Sequence, residues 1–118
     1  MLSGLSEDRL ITCHPDLVRV IHLASSRSSF QVLCGHRNEA DQERAFAAGR
    51  SKEHWPHSRH NSIPSEAADL APIPLDWSDT ESFRKLIYIV RAAALELGVE
   101  LGPVIKWDLG HFELARKT

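Results

Sequence analysis

Leu17, Val20, Ile21 and Ala24 recur at i, i+3, i+4 and i+7, one apolar stripe on an otherwise polar segment. This period predicts a helix over Ser6–Ser25. Pro15 fits a first-turn position, and Asp16 beside it suits the positive end of the helix dipole. The polar run Ser25–Ser29 breaks the pattern, and Phe30–Gly35 reads as a short buried strand. Asn38 is a good N-cap for a helix over Glu39–Ala48, with Gly49 as its stop. Residues 50–64 show no period and read as a long loop, a kind of segment that is usually functional in a compact domain. Ala67–Ala71 reads as a strand ended by Pro72 and Pro74. Ser78 and Glu81 have capping-box spacing. The helix after them carries Phe83, Leu86, Ile87, Val90, Ala94 and Leu97 on one face and stops at Gly98. Val104–Trp107 and Gly110–Leu114 read as two short strands joined through Asp108 and Leu109. Helices and strands do not alternate regularly, so the pattern predicts an α+β fold, a small, mostly antiparallel sheet with helices packed against it.

The 118 residues suffice for a single domain, 1–118, with its own core. Fourteen Lys and Arg against sixteen Asp and Glu give a net charge of −2. That balance leaves no electrostatic footprint for nucleic acid or an anionic membrane. Cys13 and Cys34 lack C-x-x-C spacing, which excludes a zinc ribbon and a dithiol redox motif, and both read as buried free thiols. No apolar run approaches the ~18 residues of a membrane span. The start, MLSGLSEDRL, has acids where a signal peptide is basic and then apolar. The chain is therefore expected to be made in the cytoplasm. Seven histidines are the unusual feature, since imidazole binds metals and moves protons near neutral pH.

Strand alternation puts Phe112 and Leu114 on one face of the last strand and His111 and Glu113 on the other. Asp108 lies three residues before His111. A D-x-x-H turn can set a carboxylate beside a metal that the imidazole holds. Asp69 stands among Ala67, Ala68, Leu70 and Ala71, where an unpaired carboxylate is costly, so it needs a cation, either an Arg or a metal. His60 lies upstream across a Pro-containing loop. Two His and a carboxylate, with a fourth position open to water, make up a catalytic zinc site. A further carboxylate can act as general base there, and an Arg can hold developing negative charge. His54 and His57 share a spacing of three with His60, but Trp55-Pro56 argues against a regular helix, so both read as loop residues. His14 and His22 read as surface residues of the first helix. Trp55, Trp77 and Trp107 read as core or boundary packing, with sugar or peptide binding as the other option. Glu113 reads as either a support for the metal site or a solvated acid, and Glu66 as a weaker rival to Asp108 for the base.

Three segments together resemble the zinc D-alanyl-D-alanine carboxypeptidase family, which includes the vancomycin-resistance D,D-dipeptidases and the phage L-alanyl-D-glutamate endopeptidases. Ser58-Arg59-His60 with Ala67-Ala68-Asp69 is similar to its S-x-H-x-x-G-x-A-x-D motif. Asp108-Leu109-Gly110-His111-Phe112 is similar to its closing motif, and Gly35-His36-Arg37 with Gln42 to its G-aromatic-R segment and the helix after it. The segments fall in the family's order. The chain departs in the nine positions from His60 to Asp69, two more than the short motif, in Ser65 where Gly is usual, and in His36 where an aromatic is usual.

The resemblance implies that His60, Asp69 and His111 bind one Zn2+ per chain, that Asp108 is the catalytic base, that Arg37 holds the substrate carbonyl or oxyanion, and that Ser58 positions substrate. It implies a Hedgehog/DD-peptidase-like fold with the zinc cleft on the sheet's open face. The implied activity is hydrolysis of a peptide bond in the peptidoglycan stem peptide by a monomer. The protein would be a phage endolysin of the L-alanyl-D-glutamate endopeptidase type, without stable membrane association, reaching the wall after the membrane is permeabilised. A D-alanyl-D-alanine carboxypeptidase and a non-catalytic zinc-binding module of the same fold are the alternatives. A His-rich metal nuclease is disfavoured by the net charge.

Overall fold

The computed structural model describes residues 1–116. Helices α1 (Gly4–Leu10), α2 (Pro15–Ser25), α3 (Glu39–Ala47) and α4 (Thr80–Leu97) accompany strands β1 (Phe30–Cys34), β2 (Ala67–Pro72) and β3 (His111–Glu113). The strands form one antiparallel sheet in the order β1-β2-β3. This is the α+β architecture that the pattern predicts.

The apolar stripe of α2 is fully buried, and it packs with Leu86, Val90, Ala93 and Ala94 of α4. Phe30, Val32, Ala68, Leu70 and Phe112 complete this core from one face of the sheet. Alternation sends Asp69 and His111 to the other face. The core therefore acts as the back wall of whatever the open face holds.

The N-terminal helix is two helices rather than one. Cys13 forms a parallel bridge with Ser65, through His14 N–H to Ser65 O at 2.8 Å and Ser65 N–H to Thr12 O at 2.9 Å. Pro15 disfavours a helical His14, so the chain turns there and α2 restarts with the Nδ1 of His14 accepting from Asp16 N–H. The cap of α4 is also displaced. Asp79 accepts from Ser82 N–H, a carboxylate taking the place of the expected Ser78 hydroxyl. Gly98 ends α4 at φ 70°, a left-handed cap suited to glycine. Val104–Trp107 is not a strand. The last strand is instead flanked by Leu101, which bridges Leu114, and by Gly102 N–H donating to Glu113 O at 2.9 Å. The loop after Gly102 is thereby released to arch over the open face. Cys13 is buried and Cys34 only half-buried, and both are free thiols. Burial pushes the Cys13 thiol up to about 11.

Candidate active site

A shift of register between Val32 and Cys34 sets Cys34 opposite Asp69, and Asp69 in turn pairs with His111. One cross-sheet row thus presents a thiol, a carboxylate and an imidazole. His60 comes from the long loop, where Arg59–Asn61 forms a single 3-10 turn. Ser58 caps that turn, its Oγ accepting from His60 N–H at 3.2 Å, and Arg37 N–H donates to His60 O at 2.8 Å. These bonds tie the loop to the end of β1 and lay a buried imidazole against the row.

The Nε2 of His60 and the Nδ1 of His111 each stand 3.2 Å from the same oxygen, Asp69 Oδ1. The second nitrogen of each ring is spoken for. His60 Nδ1–H donates to Gly35 O at 2.7 Å, and His111 Nε2–H donates to Glu113 Oε1 at 2.8 Å. Both acceptors can only accept, so the outer nitrogens carry hydrogens, and the inner ones have a lone pair for Asp69's side whenever the ring is neutral. Arg37 holds the other carboxylate oxygen, Oδ2, at 2.9 Å.

Burial opposes the charge on His60, but the field and hydrogen bond of Asp69 outweigh it and lift the imidazole above its ordinary range. His111 is raised in the same way, its bond to Asp69 overcoming burial. Burial would raise the Asp69 carboxyl, yet the charge of His60 and the bonds from both imidazoles hold it far below the usual carboxylate range. The cluster therefore stabilises positive charge at the inner nitrogens, supplied by protons or by a metal ion.

Two sets of donors lie close enough to share a cation: Cys34, His60 and Asp69, and Asp69, Asp108 and His111, with the atoms of each set within 4.8 Å of one another. Asp69 belongs to both. Cys34 lies 3.9 Å from the Nδ1 of His60, the nitrogen already committed to Gly35 O. The imidazole and carboxylate donors face the open cleft, and the Cys34 thiol borders it beside Asp69. A nitrogen and oxygen set of this kind suits zinc.

Asp108 sits in the arching loop, at the start of a turn in which His111 N–H donates to Asp108 O at 3.1 Å. Gly110 is required there because a Cβ would collide with the Leu70 carbonyl of β2, whose own N–H donates to Gly110 O at 2.8 Å. Burial and the charge of Asp69 both raise the Asp108 carboxyl above its usual range. Asp108 is thus a carboxylate with raised proton affinity beside the donor cluster.

All six residues singled out from sequence, Arg37, Ser58, His60, Asp69, Asp108 and His111, lie at this cleft. His54 does not join them; it pairs with Glu43 and lies against Phe46. His57 is an exposed residue of the cleft rim. Glu66 is engaged by Arg59 at 2.6 Å. Glu113 supports His111 and is itself held by Arg59 at 3.3 Å. The tryptophans depart from the expected core packing: Trp55, Trp77 and Trp107 are 41%, 65% and 53% exposed, and the last two line the cleft.

Gln42, which the sequence marks only as part of the segment resembling the family's, organises the site. This fully buried side chain accepts from Arg37 Nη1 and Asn61 Nδ2, both at 3.2 Å, and donates to Ser51 Oγ and Glu53 O at 2.9 and 2.7 Å. The available signal was a Gln placed three residues before Ala45, on the inner face of α3.

The comparisons with known proteins agree with this geometry. The chain is similar to the crystal structure of the Serratia marcescens L-Ala D-Glu endopeptidase ChiX, with a TM-score of 0.80 and 33% identity over 98% of this chain and 90% of that one. No curated protein matches. The family model described as phage L-alanyl-D-glutamate peptidase matches residues 1–115, nearly the whole length, and the chain belongs to that family.

Proposed function

We propose that this protein is a zinc-dependent peptidoglycan hydrolase that cuts the bond between L-alanine and D-glutamate in the stem peptide. The observation that carries the metal is the convergence of two imidazoles on Asp69 Oδ1 with their outer nitrogens already bonded. The substrate follows from family membership and from the likeness to the Serratia endopeptidase.

His60, Asp69 and His111 would hold the zinc. Bound there, zinc supplies a water of lowered pKa and polarises the scissile carbonyl. Asp108 accepts the proton of the attacking water on its carboxylate and passes it to the leaving amine nitrogen, a task that its raised proton affinity suits. Arg37 locks Asp69 through Oδ2, and its remaining N–H groups border the cleft, where they can steady negative charge on the carbonyl oxygen. Ser58 orients His60 through the backbone and borders the same cleft. One chain supplies every one of these groups, so the site needs no second copy. It acts on the cell wall, reaching it from the cytoplasm once the membrane is permeabilised. No helix among the described residues is long and apolar enough to cross a membrane.

The test is digestion of purified sacculi, followed by mass spectrometry of the released fragments, with plasmid DNA as a parallel substrate. New N-terminal D-Glu is expected. Free D-Ala would instead mark a carboxypeptidase, and intact sacculi a binding module.

A further inference from the structure

The cleft has two unequal arms that meet at Arg37, Arg50, Trp107 and Asp108. The larger, about 610 Å³, is bordered by Trp77, Leu33 and Leu70. The smaller, about 130 Å³, is bordered by Lys52, Arg59 and Glu53. The basic groups of the smaller arm differ in what they already bind. Arg59 is held by Glu66, Glu113 and the Leu114 carbonyl. Arg37 is held by Asp69 and Gln42. Among the described residues, Arg50, Lys52 and Arg116 border the arm without a carboxylate partner, and of its acids Glu53 and Asp108 form no ion pair.

Of these, Arg50 and Lys52 are the ones that hydrogen bonds of their own segment hold in place. Gly49, at φ 75°, turns the chain off α3, and Arg50 and Ser51 N–H both donate to Ala45 O, at 2.9 and 3.2 Å. Gln42 grips the next residues through Ser51 Oγ and Glu53 O, while its carbonyl oxygen binds Arg37 and the neighbour of His60, Asn61. One buried amide thus couples the Arg50–Lys52 segment to the donor cluster. The Lys52 Nζ lies 4.4 Å from the centre of the Trp107 ring, next to Asp108. The aromatic face keeps the ammonium at the cleft.

The chemistry of the substrate supplies the matching group. Glutamate has two carboxyls. In a stem peptide one carries the onward chain, which leaves the other free and negative close to the scissile nitrogen. We propose that Arg50 and Lys52 bind this free carboxylate of D-glutamate, so that the D-Glu side of the substrate occupies the small basic arm and the L-Ala side leads into the larger tryptophan-bordered arm. The inference rests on the endopeptidase reading above and adds to it the direction of the substrate and two specificity-determining residues.

The experiment compares two synthetic stem peptides that differ only in whether this carboxylate is free or converted to an amide. The kcat/KM of each is measured with the zinc-loaded wild type, Arg50→Ala, Lys52→Ala and the double variant. Wild type should prefer the acid by roughly tenfold to a hundredfold, the worth of a charge-assisted contact. The preference should shrink in each single variant and approach unity in the double variant, mainly through KM. Both side chains are exposed, and circular dichroism checks that the variants fold. Lys52→Arg should retain the preference, which a merely structural role would not require. A wild type that cuts both peptides with a preference the double variant leaves unchanged would overturn the inference alone. A wild type inert on both would overturn the endopeptidase reading and the inference with it.

Discussion

Glu113 accepts the Nε2–H of His111 at 2.8 Å, and this bond decides which nitrogen His111 turns toward Asp69. Arg59 holds Glu113 from behind at 3.3 Å, so ring orientation is passed from Arg59 through Glu113 to the cluster. Removing such a support typically costs ten- to a hundredfold in metal affinity. Glu113→Ala is expected to weaken zinc binding by about that factor, measured by competition with a chromogenic chelator. Glu113→Gln keeps an acceptor oxygen and should lose less. Equal affinity in wild type and Glu113→Ala would mean that ring orientation is set elsewhere.

Binding and chemistry should separate by residue. Alanine at His60, Asp69 or His111 is expected to abolish sacculus digestion and zinc stoichiometry together. Asp108→Asn is expected to keep zinc and lose turnover by at least ~100-fold, since general base catalysis contributes that much or more. The same change should raise the melting temperature of the metal-free protein by a few degrees, on the order expected for a small gain in stability. Asp108 is raised by burial and by Asp69, so its ionised form opposes folding at neutral pH, and the neutral amide removes that repulsion. Metal analysis that finds no zinc in Asp108→Asn would make Asp108 a ligand and leave the base unassigned.

The pH dependence follows from the same charges. His60 and His111 are raised in the folded protein, so the stability they contribute is full below the unfolded imidazole value of about 6.5 and is lost as pH rises through their folded values. Asp69 is depressed, so its contribution is present above the unfolded value of about 3.9 and is lost as pH falls through the folded one. The metal-free protein should therefore gain most from this cluster between about pH 4 and 6.5. Zinc must displace the protons on the inner nitrogens, so its binding should tighten with rising pH and release protons. Thermal melts with and without chelator should show a zinc-dependent gap that widens from pH 5.5 to 8. A gap that does not change with pH would mean that the imidazoles bind zinc without losing protons.

What could be read from the sequence depended on how local each signal was. The stripes of α2 and α4 and the alternation Phe112/His111 are written in consecutive residues, and the structure has them. Strand parity put His111 on the open face, and the resemblance to the family's motifs, beyond local pattern, joined His60 and Asp69 to it. The break between α1 and α2 was not visible, because it depends on Ser65, fifty-two residues beyond Cys13, supplying the bridge partner. Val104–Trp107 looks like a strand, yet Leu101 and Gly102 take the hydrogen bonds beside β3 and leave those residues to the arching loop. The tryptophans misled for a related reason. Trp residues ordinarily suggest packing, whereas here Trp77 and Trp107 border a cleft formed by segments distant in sequence.

Gln42 has the most severe consequence predicted for a residue outside the donor cluster. Its four hydrogen bonds use both carbonyl lone pairs and both amide hydrogens, the full capacity of the side chain. Gln42→Ala would strip the Nδ2 of Asn61 and the Nη1 of Arg37 of a common acceptor in a buried place and free the Ser51–Glu53 segment. An unsatisfied buried donor costs about 1–3 kcal/mol, so the variant should lose about 2–4 kcal/mol of stability, a drop of roughly 10 °C in melting temperature. Gln42→Glu keeps the acceptors but loses both donors, so it should preserve the bonds from Arg37 and Asn61 and lose those to Ser51 and Glu53. The two variants thus divide the hub. Thermal melts should rank wild type above Gln42→Glu and Gln42→Ala. Zinc titration should show Gln42→Glu closer to wild type, because the side of the hub that faces Arg37 and His60 survives. If Gln42→Ala melted within a degree of wild type, the buried amide would not be what holds α3, the His60 loop and the basic rim in one arrangement.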